Sequence, residues 1–491
     1  MRQWLTALVL SSLMVASASP LVSAQIGQPD IIQEHWYHSY ATLTLDLNEW
    51  SDDYPEIVEM FSIGQTELGR EIWMLQISDW EGGACLSDEF EGCEHFKEID
   101  EGELERKEVV YIDGGHHGNE HLGTELAFLV AEYYIEGWAN GDQAVIDILA
   151  TTELHILIML NADGNDFDTR WNVNQVDLNR NYDHYWNTCD STQPGSSAFS
   201  ESETLANSIY MNEVVPDADL YITMHTGVWI MLYPWGKWPE QPSDWEMYHH
   251  IRDEVNSNIS EIPIRNANQG LYPNCGTSRD YGYGVMGYPT FTFETDDEQF
   301  LLGTVEALSD RLGEELDVMH YLIENVWYWR ARLVVDYLEV EDGKVRLSVS
   351  NLGHSSTSNA TLLYFEDEDS MEFWLPGSNE PMELTGAMDI HERRSDFNFS
   401  VPGYGFAVNA TNSTVTTLDF TGAPISSDGL WALYYQKRVI DSSMWTSELV
   451  DEGVAEVKAD DSGLLPAPAM LLVFIAFALA AINGRNTRFE Q

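Results

Sequence analysis

Within the stretch YIDGGHHGNEHLG, His117 and Glu120 stand three residues apart, a further histidine lies at His225, and a glutamate lies at Glu294. A zinc ion that keeps one position open for chemistry needs three nitrogen or oxygen donors, typically a tight local pair plus a third from elsewhere in the chain. His117, Glu120 and His225 supply two imidazoles and a carboxylate in that form. Glu294 could then take the proton of a water whose acidity the metal raises. Each element of this set is weak alone. His-x-x-Glu recurs by chance in chains of this length, and a single histidine is more often a satisfied core residue than a ligand.

The grouping is stronger than its members, because the candidates fall at the ends of predicted strands. His117 and Glu120 follow EVVYID; Arg170, Asn179 and Arg180 follow ELHILIML; His225 ends LYITMH; Glu294 ends PTFTFE. Short β-rich runs alternate with helical spacing, as in Leu122 to Trp138, from about Tyr37 to Val326. That alternation predicts an α/β domain over residues 37–326, with a mixed, mostly parallel sheet flanked by helices. Sites in such sheets are built at the carboxyl edge of the strands.

In order, GHHGNE, NADGNDFDTRWNVNQVDLNRN, MHTGVWIMLYPWG and LYPNCGTSRDYGYGVMGYPTFTFE resemble the zinc metallocarboxypeptidases of the funnelin type, the pancreatic carboxypeptidase family, over about three-fifths of the chain. The resemblance implies the zinc carboxypeptidase fold, one zinc ion on His117, Glu120 and His225, and Glu294 as general base. It further implies that Arg170 polarises the scissile carbonyl, that Asn179 and Arg180 grip the terminal carboxylate of a peptide, and that Asp177 orients a ligand imidazole. Tyr272, 22 residues before Glu294, matches the mobile tyrosine that closes over substrate. Arg279, 15 residues before Glu294, matches the floor of the pocket for the C-terminal side chain, where a cation predicts preference for Glu or Asp.

Three departures are visible: Ala162 where the family usually has proline, Gln175 where it has glycine, and Asn119 where the digestive enzymes carry arginine. The first two concern loop shape and the third the peptide subsites. DGNDFD, from Asp163 to Asp168, fails the calcium-loop pattern because Phe167 stands at a ligand position and no glycine makes the turn.

The chain of 491 residues carries 23 basic and 82 acidic side chains, a net charge of −59. Such a surface repels nucleic acid and anionic lipid headgroups, so nucleic acid is not expected as a partner. Residues 1–24 read as a secretory signal peptide, with Arg2, an apolar run and Val22-Ser23-Ala24 before the cleavage point. The few residues from Gln25 to His35 predict no folded inhibitory prodomain. Residues 330–450 contain short strand patterns around an Asp342-Gly343 turn, with Val345, Leu347 and Val349 on one face and Arg346 and Ser348 on the other, and predict a β-sandwich.

Residues 451–463 read as an acidic linker, residues 464–482 as a transmembrane anchor, and residues 483–491, with Arg485 and Arg488, as a cytoplasmic tail. The expected location is the cell surface, anchored through one C-terminal helix with the catalytic domain outside. Four cysteines allow three pairings, of which Cys85 with Cys93 is the simplest by distance, leaving Cys189 with Cys275. The expected activity is removal of the C-terminal residue from peptides or proteins. The alternatives are a zinc amidase on small acylated amino acids or peptidoglycan peptides, and an inactive cell-surface binding protein.

Overall fold

The computed structural model describes residues 37–80, 107–190, 193–296, 305–341, 344–351, 353–355, 357–365, 399–401, 413–419, 430–436 and 452–457. The signal peptide, the anchor, the tail, Cys85 and Cys93 lie outside them. Among the described residues no helix is long and apolar enough to cross a membrane.

Eight strands form one sheet: β1 (Val58–Gln65), β2 (Glu71–Ile77), β3 (Glu108–Gly114), β4 (Thr152–Leu157), β5 (Leu220–His225), β6 (Ile230–Tyr233), β7 (Ile264–Asn266) and β8 (Thr290–Glu294), in the order β1-β2-β4-β3-β5-β8-β6-β7. The centre, β4-β3-β5-β8, is parallel, while β1 and β2 on one side and β6 on the other run antiparallel to their inner neighbours. The apolar runs are continuous because both faces are covered. Val110 and Ile112 of β3 enter one core and Val109 and Tyr111 the other. The first core is closed by α1 (Tyr40–Asp53), α2 (His121–Ala139), α3 (Gln143–Thr151), the helix Trp245–Asn258 and the helix Val305–Glu324. The second core lies under the helix Ser202–Glu213 and a group of tyrosines.

Two antiparallel sheets follow. One has the order β13-β10-β9 and the other β12-β11-β14-β15, where β9 is Leu333–Glu341, β10 Lys344–Asn351, β11 Thr357–Phe365, β12 Phe399–Val401, β13 Ser413–Asp419, β14 Leu430–Gln436 and β15 Glu452–Val457. Leu333, Val345, Leu347 and Val349 of the first sheet share a core with Leu362, Trp431 and Leu433 of the second. Arg330 ties this unit to the catalytic sheet: its buried guanidinium donates to the carbonyls of Gly287 and Ala218.

Two expectations need correction. Residues 452–457 were expected in a linker, but they form β15, which pairs antiparallel with β14. The pairing partner is distant in sequence, so local acidic composition carries no sign of it. Ser348, expected on the outer face of β10, is buried and donates to Asp336, because a register shift between Ser348 and Val349 breaks the alternation.

Candidate active site

The parallel core brings three strand ends side by side. His225 of β5 is the register partner of Glu294 of β8, and Gly114 of β3 that of Met224. Past β3 the chain turns through His117 and starts α2 immediately after Glu120. A Cβ on Gly123 would sit 2.9 Å from the backbone of His225, so glycine here lets the first turn of α2 pack onto the end of β5. Thr226 joins the same elements: its amide donates to Glu120 Oε2 at 3.2 Å and its hydroxyl accepts from the Gly123 amide at 2.9 Å.

His117, Glu120 and His225 thereby converge. Their ligand atoms all lie within 4.8 Å of one another, and the residues are 3%, 4% and 1% exposed. Both imidazoles turn Nδ1 to the carboxylate, His117 at 2.7 Å from Oε1 and His225 at 2.8 Å from Oε2. Their Nε2 atoms face outer partners, Asp177 at 2.9 Å and the Asn179 amide at 3.0 Å. Two nitrogens and a carboxylate, dry and held from behind, fit the donor preference of zinc. Burial opposes ionisation of Glu120 and of Asp177, yet His117 and His225 at Glu120, and His117 with Arg180 and Arg170 at Asp177, outweigh it and hold both carboxyls well below the usual range. Glu294 is the opposite case. Burial and the charge of Glu120 push its carboxyl far above the ordinary range, against the pull of His117, Arg170 and Arg279.

Around this centre stand the cations. Arg170 donates from Nε and Nη2 to Asp177 Oδ2, at 3.1 and 3.0 Å, and from Nη1 to Glu120 Oε1 at 3.1 Å, while 33% of its side chain stays exposed. Arg180 donates to its neighbour's carbonyl at 2.6 Å and to the Tyr272 hydroxyl at 3.2 Å. Tyr272 itself is 51% exposed. Asn179 is placed differently from Arg180: buried, it uses Oδ1 for the Ser278 amide and Nδ2 for His225, so it braces the imidazole.

Arg279 is 3% exposed; Nε bonds Asp280, Nη1 Thr292 and Nη2 Asn274, at 3.0, 3.3 and 2.8 Å. Cys189 and Cys275 are bridged, with Cα atoms 5.7 Å apart. Gln175 has φ of 62°, the left-handed region in which glycine is at ease, so the departure from glycine changes the residue and keeps the turn. Arg70 pairs with Asp163 and Asp166, drawing those carboxylates into ion pairs.

One contributor escaped the sequence reading. His116, which is not among the candidates named from the sequence, is fully buried, bonds the Tyr182 hydroxyl at 2.8 Å and stacks on the His225 ring at 5.5 Å. The His-His doublet was its only signal.

Residues 45–310, more than half of the chain, match the family described as Zinc carboxypeptidase. The chain belongs to that family. As a member it is classed with the hydrolases, as a zinc metallocarboxypeptidase. Its relatives include carboxypeptidase B of Astacus astacus, 22% identical over 289 residues that cover 53% of this chain and 86% of the relative. Carboxypeptidase E of Caenorhabditis elegans is 29% identical over 189 residues, covering 36% of each chain, so only about a third of that relative is spanned. Among solved structures, thrombin activatable fibrinolysis inhibitor shares the fold with a TM-score of 0.50 at 20% identity, over 63% of this chain and 79% of that one. The strands from Leu333 onward lie beyond the matched residues.

Proposed function

We propose that the chain is an exopeptidase that hydrolyses the last peptide bond of peptides or proteins, with a preference for C-terminal Glu or Asp, and that it works at the cell surface. The observation that carries the reading is the register pairing of His225 with Glu294, which sets the proposed base beside the proposed third ligand. His117, Glu120 and His225 would hold the zinc ion. When bound, zinc supplies Lewis acidity, making water a better acid and a carbonyl carbon a better electrophile.

The protein's own groups do the rest. Glu294 accepts the proton of the attacking water and returns it to the leaving amine. Arg170, open on one side, donates to the oxygen of the scissile carbonyl as negative charge develops there. Arg180 bonds the terminal carboxylate, for which a guanidinium is the natural bidentate partner, and Tyr272 closes over the bound end. Arg279 reads the side chain. Its three bonds leave one Nη1–H and one Nη2–H without a partner among the described residues, donors that a substrate carboxylate would take. Asp280 offsets part of its charge through Nε, on the other side of the guanidinium.

The test is a set of N-blocked dipeptides that differ only in the C-terminal residue. Glu should exceed Phe and Lys in kcat/KM by roughly tenfold or more, since hydrogen bonds to charged groups contribute about 1.5–3 kcal/mol. An enzyme that favours Phe or Lys contradicts the acidic preference and leaves the exopeptidase reading intact.

A further inference from the structure

Tyr272 is held between the two cations proposed to read the substrate. Its hydroxyl accepts from Arg180 at 3.2 Å, and its backbone carbonyl accepts from Asn274 Nδ2 at 2.7 Å. The same Asn274 accepts, on Oδ1, a hydrogen bond of 2.8 Å from Nη2 of Arg279. Arg279, Asn274, Tyr272 and Arg180 thus form one chain of bonds from the pocket floor to the residue that would hold the terminal carboxylate.

The chain is built into its surroundings. A Cβ on Gly236 would lie 2.1 Å from Asn274 Oδ1 and 2.3 Å from Arg279 Nη2, so the Asn274–Arg279 contact exists because residue 236 is glycine. The backbone of Gly236 also fixes both partners, accepting from the Asn274 amide at 3.0 Å and donating to both carboxylate oxygens of Asp280, the ion-pair partner of Arg279. Immediately beyond Asn274 the segment is anchored. Cys275 is bridged to Cys189, and Gly276 exchanges backbone hydrogen bonds with Tyr182 and His184. Asn274 is therefore held through its backbone, and its side chain alone links Arg279 to the Tyr272 carbonyl.

We propose that Asn274 is a positioning residue that couples occupancy of the Arg279 pocket to placement of Tyr272, so that an acidic side chain is read in turnover as well as in binding. The inference rests on the acidic-pocket reading above. A carboxylate adds a full opposite charge, so it attracts the Arg279 guanidinium more strongly than the neutral amide oxygen of Asn274 does. A substrate carboxylate on the free Nη1–H and Nη2–H therefore draws the Arg279 guanidinium towards itself, which lengthens the bond to Asn274 Oδ1 and loosens the tether on the Tyr272 carbonyl. The terminal carboxylate meanwhile takes Arg180 from the Tyr272 hydroxyl. A C-terminal Glu or Asp releases both tethers at once, whereas a neutral residue releases one. A difference in interaction between the two loop placements is what a ligand needs to shift their populations.

The test uses the full chain and two blocked dipeptides ending in Glu and in its neutral isostere Gln, with kcat and KM determined separately. In the wild-type enzyme Glu should lead Gln in both parameters. In Asn274→Ala the kcat advantage should fall by roughly fivefold or more, towards unity, while the KM advantage is kept. Asn274→Asp, which sets a carboxylate against Arg279 from inside, should erase both advantages, and it carries the test if the alanine variant does not fold. Equal loss of kcat on Glu and Gln in Asn274→Ala, the signature of a merely structural role, overturns the coupling while the acidic preference stands. Absence of any Glu preference in the wild type overturns the acidic pocket itself, and the coupling with it.

Discussion

Glu120 is buried and Glu294 partly buried, and their surroundings drive the two carboxyls apart: Glu120 is bonded by two imidazoles, while Glu294 feels burial and the charge of Glu120. Such divergence is how one site keeps a permanent anion beside a group able to carry a proton. Glu294→Gln should therefore retain the metal, because His117, Glu120 and His225 are untouched, and lose about 100- to 10,000-fold in kcat. Metal content by elemental analysis beside steady-state rates checks this, and near-normal turnover in the variant removes Glu294 from the role. At this scale the sequence was most legible, since ligands and base each close a strand. It was least legible for residues that act through others. Thr226 and Ser278 reach the site through contacts made across about 100 residues, as His116 does in stacking on His225, and spacing cannot reveal such contacts.

At the scale of elements, α2 carries Glu120 at its start and Glu125 one turn on, and α1 docks against it through a buried ion pair. His38 lies 2.8 Å from Glu125 Oε2 and 3.0 Å from Asp46 Oδ2. Burial lowers the pKa of His38, but Glu125 and Asp46 outweigh it and raise it to about 10. The folded value lies above the unfolded one of about 6.5, so the stabilisation is fully present below pH 6.5 and is lost as pH rises through 10. His38→Gln should cost about 3 kcal/mol at pH 6 and much less at pH 10. Chemical denaturation of both proteins at the two pH values measures the difference, and a cost that does not change with pH contradicts the assignment. Element types were readable because apolar runs and helical spacing are local. β15 and the irregularity at Ser348 were not, because both are set by pairing with strands far away in the chain.

Among the described residues, the α/β unit and the smaller two-sheet unit are joined through the buried Arg330 and through Arg332, which bonds Glu108 at the start of β3. With a sequence net charge of −59, the chain is suited to solution and poorly suited to polyanions. The sequence expectation of a signal peptide over residues 1–24 and an anchor over residues 464–482, both outside the described residues, places residues before Leu464 outside the cell and is open to direct test. Protease added to intact cells should release the catalytic domain and leave a short membrane-bound stub; a domain protected until lysis reverses that topology.

The central claim is that the site acts on a free chain end with a metal-dependent centre. One comparison addresses it directly: the zinc-loaded full chain acting on a blocked dipeptide ending in Glu and on the same dipeptide with its terminal carboxyl amidated, each before and after chelation. The account predicts cleavage of the free acid, a rate lower by roughly 100-fold for the amide, because Arg180 loses its charged partner, and loss of both rates on chelation. Equal cleavage of acid and amide, or full activity after the metal is removed, would contradict it.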